Sequence, residues 1–352
     1  MIGPDEVEIC GYGVAKADSE AASALVAQAE EGWERASRSQ LQRMLDSPDP
    51  KTRAAALMVS FQFAPLVALA LHSSDPTIYA MALAACERRA VDSAHAQACQ
   101  MINAEQGARL DADNAAAWLL VAAQAVARRE PELVAEALHR ASVATRLHYR
   151  TFEFAALALA AIPANLPRAE RAQILVSAIG IQAALSMPQL QVLTVQCDAA
   201  RMGDSNRRQT CSALAELLVS KGPTLIDLHI GRRIGERAGW PRERTEQLGA
   251  TSEALFEALY RAFGDEMNRA PGGQLSCATA ELAERWWRAS STGGERAAAE
   301  QSLARSGLSQ AQIMERYQRV MQQRAASAAA QAASEAASEA ASAAASAASA
   351  PR

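Results

Sequence analysis

Cysteines are the residues whose number and spacing say most about the chemistry of this chain. Six are present, and two neighbouring pairs flank stretches with the composition of a helical-hairpin connection: Cys86 with Cys99, and Cys197 with Cys211. Such a connection can bring two Cα atoms to the roughly 4.4–6.8 Å that a disulfide requires. We therefore predict a structural disulfide within each of these two pairs.

Cys10 and Cys277 remain, and a bond between them would tie the N-terminal segment to a distant helix. Six cysteines can pair in other ways, so this connectivity rests on spacing. The alternative is that all six are small buried hydrophobic side chains in a reducing cytosol. A metal site ranks below both, because the sequence has no C-x-x-C pair and no nearby histidine at zinc-ligand spacing.

Oxidised cysteines predict a periplasmic or secreted protein. The segment from Met1 to Glu8 lacks the basic and apolar regions of a secretory signal. Either a signal has already been removed from the chain shown or the protein is cytoplasmic, which is the alternative. The longest apolar stretch, Met58 to Leu71, is shorter than the roughly 18 residues that a membrane span needs. We therefore expect no integral membrane segment.

Other side chains capable of acid–base or nucleophilic chemistry form no familiar motif. None of the histidines stands in an H-E-x-x-H arrangement, and no G-x-S-x-G elbow surrounds a serine. Asp227 and His229 would point about 200° apart on a helix, and His139 and His148 about 180° apart. We therefore predict no catalytic, cofactor-binding or metal-binding residue.

Trp286 and Trp287 are candidates for contact with a partner. Neighbouring side chains on a helix lie about 100° apart, so one ring can pack in the core while the other contacts a groove or a partner. Tryptophan is enriched in binding hot spots. The Arg-rich segment from Gly231 to Arg244 is interleaved with glutamates, which is typical of a solvated helix face with local ion pairs.

The composition indicates an all-α protein. Half of the residues are hydrophobic but only 5% are aromatic, and alanine dominates, which favours closely packed helices over a β-sandwich. The net charge of −4 provides no general attraction to nucleic acid or to an anionic membrane, and we expect neither as a partner. The excess of arginine over lysine, together with the alanine content, is typical of a GC-rich bacterial source.

A helical-hairpin pattern occurs twice between Asp75 and Ala141. The first round begins at Asp75 and Pro76, where Asp can cap a helix and Pro fits its first turn. The second begins at Asp113-Asn114 and continues with apolar residues at helical spacing: Trp118, Val121, Ala122, Ala125, Leu138 and Ala141. Such units bury their apolar faces on one another. We therefore predict antiparallel helical hairpins in an α-solenoid, or superhelical array.

The second round resembles a tetratricopeptide repeat, whose packing signature is an early aromatic residue, small residues one and two turns later, and Leu and Ala in the second helix. The resemblance covers this unit and a degenerate one before it. It implies a concave surface that binds a peptide or a protein. The paired cysteines and the segment CDAARMGDSNRRQTC are also similar to uncharacterised Ala-rich proteobacterial proteins, which supply no activity to carry over.

Four segments are predicted along the chain. They are an extended N-terminal arm at 1–17, a tetratricopeptide-like helical half at 18–162, a second helical half at 163–323, and a low-complexity Ala/Ser tail at 324–352. The seam between the halves is placed at Pro163 to Pro167. Beyond Arg324 the tail has no large apolar residue and cannot join a core.

Two functions from different classes stay open. The leading hypothesis is a non-enzymatic helical-repeat protein that binds a peptide or protein partner in the bacterial envelope. The alternative is a hydrolase-like enzyme without a recognisable motif, which would require a deep pocket where titratable side chains converge. The sequence identifies no cofactor and leaves the oligomeric state undefined.

Overall fold

A computed structural model of the chain describes residues 2–3, 5–87, 93–184, 187–270, 272–273 and 275–348. The N-terminal arm is an antiparallel hairpin of two short strands, β1 (Glu6–Ile9) and β2 (Gly13–Lys16). Gly11 in the connection has a φ of 81°, a conformation that favours glycine. The predicted extended arm therefore folds back on itself.

The rest of the described chain is largely helical, and the all-α class is confirmed. The first helices are α1 (Glu20–Leu45), α2 (Pro50–Val59), α3 (Phe63–Leu71), α4 (Pro76–Cys86), α5 (Ser93–Cys99) and α6 (Ala104–Leu110). The middle ones are α7 (Ala115–Arg128), α8 (Pro131–Val143), α9 (Glu153–Ala160), α10 (Arg168–Ala183) and α11 (Pro188–Gln196). The last are α12 (Ser205–Lys221), α13 (Leu225–Arg237), α14 (Arg242–Phe256), α15 (Ala262–Arg269), α16 (Cys277–Arg305) and α17 (Gln310–Ala348). Among these helices, none combines the length and apolarity needed to cross a membrane.

Local capping explains where several helices begin. The Ser19 side chain accepts a hydrogen bond from the backbone N–H of Ala22 at 3.1 Å, and Asp49 accepts one from the N–H of Thr52 at 3.1 Å. Pro50 occupies the first turn of α2, where a missing N–H leaves no helical bond unmade. These caps satisfy backbone donors that a helix start would otherwise expose.

The break after α2 lies earlier than the sequence predicts. The pattern predicts that Pro65 breaks or kinks the helix that starts near Lys51. Instead, α2 ends at Val59, and Phe61 takes a left-handed φ of 59°. Pro65 lies in the first turn of α3, a position that tolerates proline.

Within the described part of the chain, the helices enclose three clusters of buried apolar side chains. One lies among α1 to α5, α9 and α10 and includes Met58 and Ile78. A second lies among α6, α7, α8, α11, α12 and α13 and includes Leu119 and Leu138. A smaller one joins α12, α13, α14 and α16 around Leu228. The first two clusters meet beside α4, α6 and α7, and these helices also form the pocket described below.

The two predicted hairpin rounds have different structures. In the second round, α7 and α8 pack on each other, with Ala125 and Ala137 fully buried at their contact. In the first round, the pattern predicts that Cys99 lies early in the returning helix. Instead, α4 is followed by the short helices α5 and α6, and Cys99 is the last residue of α5. Positions 88–92 of the predicted connection lie outside the described residues.

Helix α17 crosses the predicted start of the tail and continues to Ala348. Residues 325–335 are exposed along it, as expected for a segment without large apolar side chains. Alanine has the highest helix propensity, which accounts for the continuation. The tail's last positions, 349–352, lie outside the described residues, and the division of the chain into two helical halves stays a prediction.

Candidate binding pocket

A pocket opens between α4, α6 and α7, beside the segment from His148 to Thr151. It is a shallow opening: about 590 Å³ of space lies within it when the solvent at its mouth is included. Small residues form much of its walls, including Ala80 and Ala84 on α4, Ala108 on α6 and Ala117 on α7. Larger side chains at these positions would fill the space, so the alanines of the three helices create the opening.

Asp111 and Arg150 form the charged end of the pocket. The Arg150 Nε donates to Asp111 Oδ2 at 2.9 Å, and its Nη2 donates to Oδ1 at 3.1 Å, which makes a bidentate pair. Only 5% of the Asp111 side chain is exposed. Burial alone would raise the pKa of Asp111, but hydrogen bonds from Arg150 and Asn114 outweigh it and hold the pKa below its ordinary value. The carboxylate is therefore charged and neutralised by arginine.

Asn114 connects the segment from His148 to Thr151, the pocket segment, to the start of α7. Its Oδ1 accepts from the backbone N–H groups of Ala116 at 3.2 Å and His148 at 2.9 Å. Its Nδ2 donates to Asp111 at 2.7 Å and to the His148 carbonyl at 2.8 Å. Because the side chain is buried and makes four hydrogen bonds, it serves as helix cap and loop anchor at once.

One carboxylate oxygen of Glu153 accepts three hydrogen bonds. Its Oε1 accepts from Thr77 Oγ1 at 2.9 Å, from His148 Nε2 at 3.0 Å and from Arg150 Nη1 at 3.1 Å. Burial would raise the pKa of Glu153, but the hydrogen bonds of His148, Thr77 and Arg150 lower it to about 2. The carboxylate stays ionised and links α9 to α4 and to the pocket segment.

His148 gives the pocket its acid–base capacity. Glu153 orients the imidazole through Nε2, and 45% of the His148 side chain is exposed. None of the described residues that line the pocket is a serine or a cysteine. Among those residues, the His148–Glu153 pair therefore has no serine or cysteine nucleophile beside it. The pocket offers hydrogen-bonding groups at its polar end and apolar contact at its walls.

Tyr149 anchors the other side of the segment. Its hydroxyl donates to the buried carboxylate of Asp227, which also accepts from the backbone N–H and the hydroxyl of Thr224 at 3.0 and 2.8 Å. Burial raises the pKa of Asp227 despite these hydrogen bonds. His229, two positions along α13, is exposed, so these two residues do not form a shared site.

The six cysteines lie as the pairs predicted from spacing. The Cα atoms are 4.6 Å apart in Cys10–Cys277, 5.5 Å in Cys86–Cys99 and 5.7 Å in Cys197–Cys211, all within disulfide range. The first pair ties the β-hairpin to the start of α16, the second joins the ends of α4 and α5, and the third joins the end of α11 to α12.

A histidine lies beside one of these pairs, which the sequence pattern did not indicate. A ring nitrogen of His95 and the Sγ atoms of Cys86 and Cys99 all lie within 4.8 Å of one another. The sequence argument that no nearby histidine stands at zinc-ligand spacing from the cysteines therefore overlooks His95. The available signal was the spacing of His95 and Cys99, which are one helical turn apart and share a face of α5.

Trp286 and Trp287 are both half-buried on α16, with ring centroids 4.4 Å apart in an edge-to-face arrangement. Trp286 packs against the cluster around Leu228. Neither ring lines the pocket, and a role for them in partner contact stays a prediction.

The sequence pattern does not indicate the residues at the charged end of the pocket. Asp113-Asn114 indicates only a helix start, and the spacing of His148 from His139 argues only against a shared metal site. Arg150 and Glu153 carry no local motif, since their partners Asp111 and Thr77 are 39 and 76 positions away. The one usable signal was the polar run from His148 to Glu153 ahead of an apolar helix.

Comparison with known proteins identifies no relative. The chain matches no family model. The curated proteins give no significant match, and the solved structures give none either. The resemblance to tetratricopeptide repeats therefore rests on the sequence pattern of α7 and α8 and of the degenerate unit before them, and it stays a prediction.

Proposed function

We propose that this protein is a non-enzymatic helical binding protein that takes a segment of a peptide or protein into the alanine-walled pocket. The observation that carries the proposal is that both carboxylates at the charged end of the pocket already have partners: Asp111 is paired with Arg150, and Glu153 accepts hydrogen bonds from Arg150 and from the imidazole of His148. Carboxylates held this way are fixed as ions and have low pKa values. They are therefore suited to positioning the polar edge of a site rather than to taking up protons.

The occupant that fits best is an extended segment with one apolar side chain. The side chain would lie between α4 and α7, against Ala84 and Ala117, and polar backbone groups would reach the exposed edge of His148. Pockets that combine apolar walls with a few fixed polar groups are typical of ligand sites.

We also propose that the hairpins form a repeat array. The support is that α7 packs on α8 and α12 packs on α13, while α12 contacts α8 and α11 contacts α7. Stacked helix pairs of this kind present one extended face to a partner. An oxidising, extracytoplasmic location completes the proposal, and the three cysteine pairs at disulfide distance support it.

The test is a selection of binders from a displayed random-peptide library against the oxidised full chain. Ala117→Trp places an indole in the pocket, and Ala127→Trp places the same indole on the exposed face of the same helix. Selected peptides should bind wild type and Ala127→Trp with the same affinity and should bind Ala117→Trp at least about tenfold more weakly. A tenfold change corresponds to roughly 1.4 kcal/mol of binding free energy.

Two results would overturn the proposal. One is a selection that enriches no peptide against wild type. The other is a set of peptides that bind Ala117→Trp and wild type equally, which would place the binding surface elsewhere. Circular dichroism of both variants checks that each remains folded.

The hydrolase-like alternative has one observation in its favour, the carboxylate-oriented imidazole of His148 beside the pocket. This arrangement is typical of a general base. A panel of activated ester and amide substrates tests it: turnover by wild type that His148→Gln abolishes would establish an enzyme, and absence of turnover supports a binding protein.

A further inference from the structure

We propose that Cys86 and Cys99, once reduced, form with His95 a site for a thiophilic divalent metal ion such as Zn²⁺. Two thiolates and an imidazole are a ligand set that zinc prefers, and three protein ligands leave a fourth tetrahedral position for water or another group. The same two sulfur atoms either bond to each other or bind the metal. The site is thus available in one redox state of the protein and closed in the other.

The geometry requires little movement. The two Cα atoms are 5.5 Å apart, and the three ligand atoms already lie within 4.8 Å of one another. In a tetrahedral site with Zn–S near 2.3 Å and Zn–N near 2.0 Å, ligand atoms are separated by about 3.5–3.8 Å. We expect that opening the disulfide and rotating the cysteine side chains is enough to reach these separations.

The imidazole is held in place before any metal arrives. His95 is only 4% exposed, and its ring lies 4.3 Å from the ring of Phe63 on α3. Helix α5 packs on both α3 and α4. His95 and Cys99 stand one turn apart on the same face of α5, and Cys86 ends α4 beside them. Two helices therefore supply three ligands in a fixed relation.

This pair is also the one that a reductant reaches most easily. Cys197 and Cys211 are fully buried, and Cys10 is 4% exposed although its partner Cys277 is partly exposed. Cys86–Cys99 is the pair in which both cysteines are partly exposed. Because thiol–disulfide exchange requires access of a thiolate to sulfur, exposed disulfides are the labile ones. We therefore assign the first reduction step to Cys86–Cys99.

The reaction balances with a dithiol reductant of the thioredoxin class. A thiolate of the reductant attacks one sulfur of the pair and forms a mixed disulfide, which its second thiol resolves. Two electrons and two protons pass to Cys86 and Cys99, and the reductant leaves as its own disulfide. Metal binding then releases two protons, because both cysteines coordinate as thiolates.

The test uses the full chain, reduced mildly with a soluble dithiol, desalted without oxygen and titrated with Co²⁺. We expect visible ligand-field bands and a near-ultraviolet thiolate-to-cobalt band that saturate at one Co²⁺ per chain and disappear when Zn²⁺ is added. Peptide mapping after alkylation should find Cys86 and Cys99 reduced while the other two pairs remain intact. The oxidised chain should show neither band.

His95→Gln separates a ligand from a structural role, since it keeps the disulfide and a polar side chain of similar length. We expect at least tenfold weaker Co²⁺ binding by reduced His95→Gln, with circular dichroism unchanged, and no change for His139→Gln on the exposed face of α8. Equal Co²⁺ binding by wild type and His95→Gln would overturn the proposal. So would equal binding by the oxidised and reduced chains, or reduction of another pair first.

Discussion

The hydroxyl of Tyr149 donates a hydrogen bond of 2.5 Å to the carboxylate of Asp227, 78 positions along the chain. Both side chains are buried. The bond joins the pocket segment to the first turn of α13, where Asp227 and Thr224 cap the helix reciprocally. The position of His148 beside the pocket therefore depends on a contact with the later part of the chain.

Tyr149→Phe should destabilise the protein by about 1–3 kcal/mol, because it leaves a buried carboxylate without one of its donors. Burial already raises the folded-state pKa of Asp227 above its unfolded value, and loss of the tyrosine donor should raise it further. A raised folded pKa means that stability falls as pH rises through that pKa. The loss measured by urea unfolding should therefore be larger at neutral pH than at acidic pH.

The control is Tyr260→Phe, which removes a similar hydroxyl from the carboxylate of Glu295 in an exposed pair. We expect a change well below that of Tyr149→Phe. Equal free energies of unfolding for wild type and Tyr149→Phe at neutral pH would contradict the anchoring role.

Glu153 predicts the opposite pH dependence. Its folded pKa of about 2 lies below the ordinary value of 4.5, so its contribution is present above pH 4.5 and is lost as pH falls toward 2. The free energy of unfolding of wild type should exceed that of Glu153→Gln by on the order of 2 kcal/mol at pH 6. The difference should shrink steadily in urea melts at lower pH. A constant difference across this range, or a matching trend in the exposed control Glu30→Gln, would refute the assignment.

Contacts set by short-range chemistry could be predicted from the sequence. Ser19, Asp49 and Asp75 mark the starts of α1, α2 and α4, because an N-cap depends only on the next few residues. The pairs Cys86–Cys99 and Cys197–Cys211 can be predicted for the same reason, since each pair spans a single connection between helices. The all-α class follows from the alanine content in the same local way.

The pocket depends on contacts between residues far apart in the sequence, which short-range sequence patterns cannot predict. Asp111 meets Arg150, and Tyr149 meets Asp227, only after helices from different parts of the chain have packed. The break at Phe61 was missed because a left-handed φ at a non-glycine residue reflects the packing around it. His95 was missed as a neighbour of Cys86 because the spacing rules for zinc motifs do not cover one ligand at the end of the preceding helix.

Alkylation of the purified protein under denaturing conditions, with and without prior reduction, tests the oxidation state of all six cysteines. The intact mass should show no alkyl group without reductant and six after full reduction, because the three pairs lie at disulfide distance. Six alkyl groups without reductant would contradict both the disulfides and the oxidising compartment.

The three pairs should also differ in their effect on stability. Cys10–Cys277 closes a loop of 267 residues and Cys86–Cys99 one of 13. In the chain-entropy model, these loops correspond to about 5–6 and about 3 kcal/mol. Replacing Cys10 and Cys277 with serine should therefore lower the free energy of unfolding more than replacing Cys86 and Cys99. Urea unfolding of the two double variants measures the order, and the reverse order would show that native-state strain or residual unfolded structure dominates.

Asn114 should be the most sensitive helix cap, because it makes four hydrogen bonds and is buried. Asn114→Ala removes the cap of α7 and leaves the backbone of His148 with an unpaired N–H and C=O, so we expect a loss of roughly 2–4 kcal/mol in urea unfolding. Asn103→Ala is the matched control. Asn103 is an exposed N-cap that accepts from the N–H of Gln106, and its loss should be about 1 kcal/mol. If the two variants lose the same stability, Asn114 is an ordinary cap and the pocket segment is held by Asp111 and Tyr149 without it.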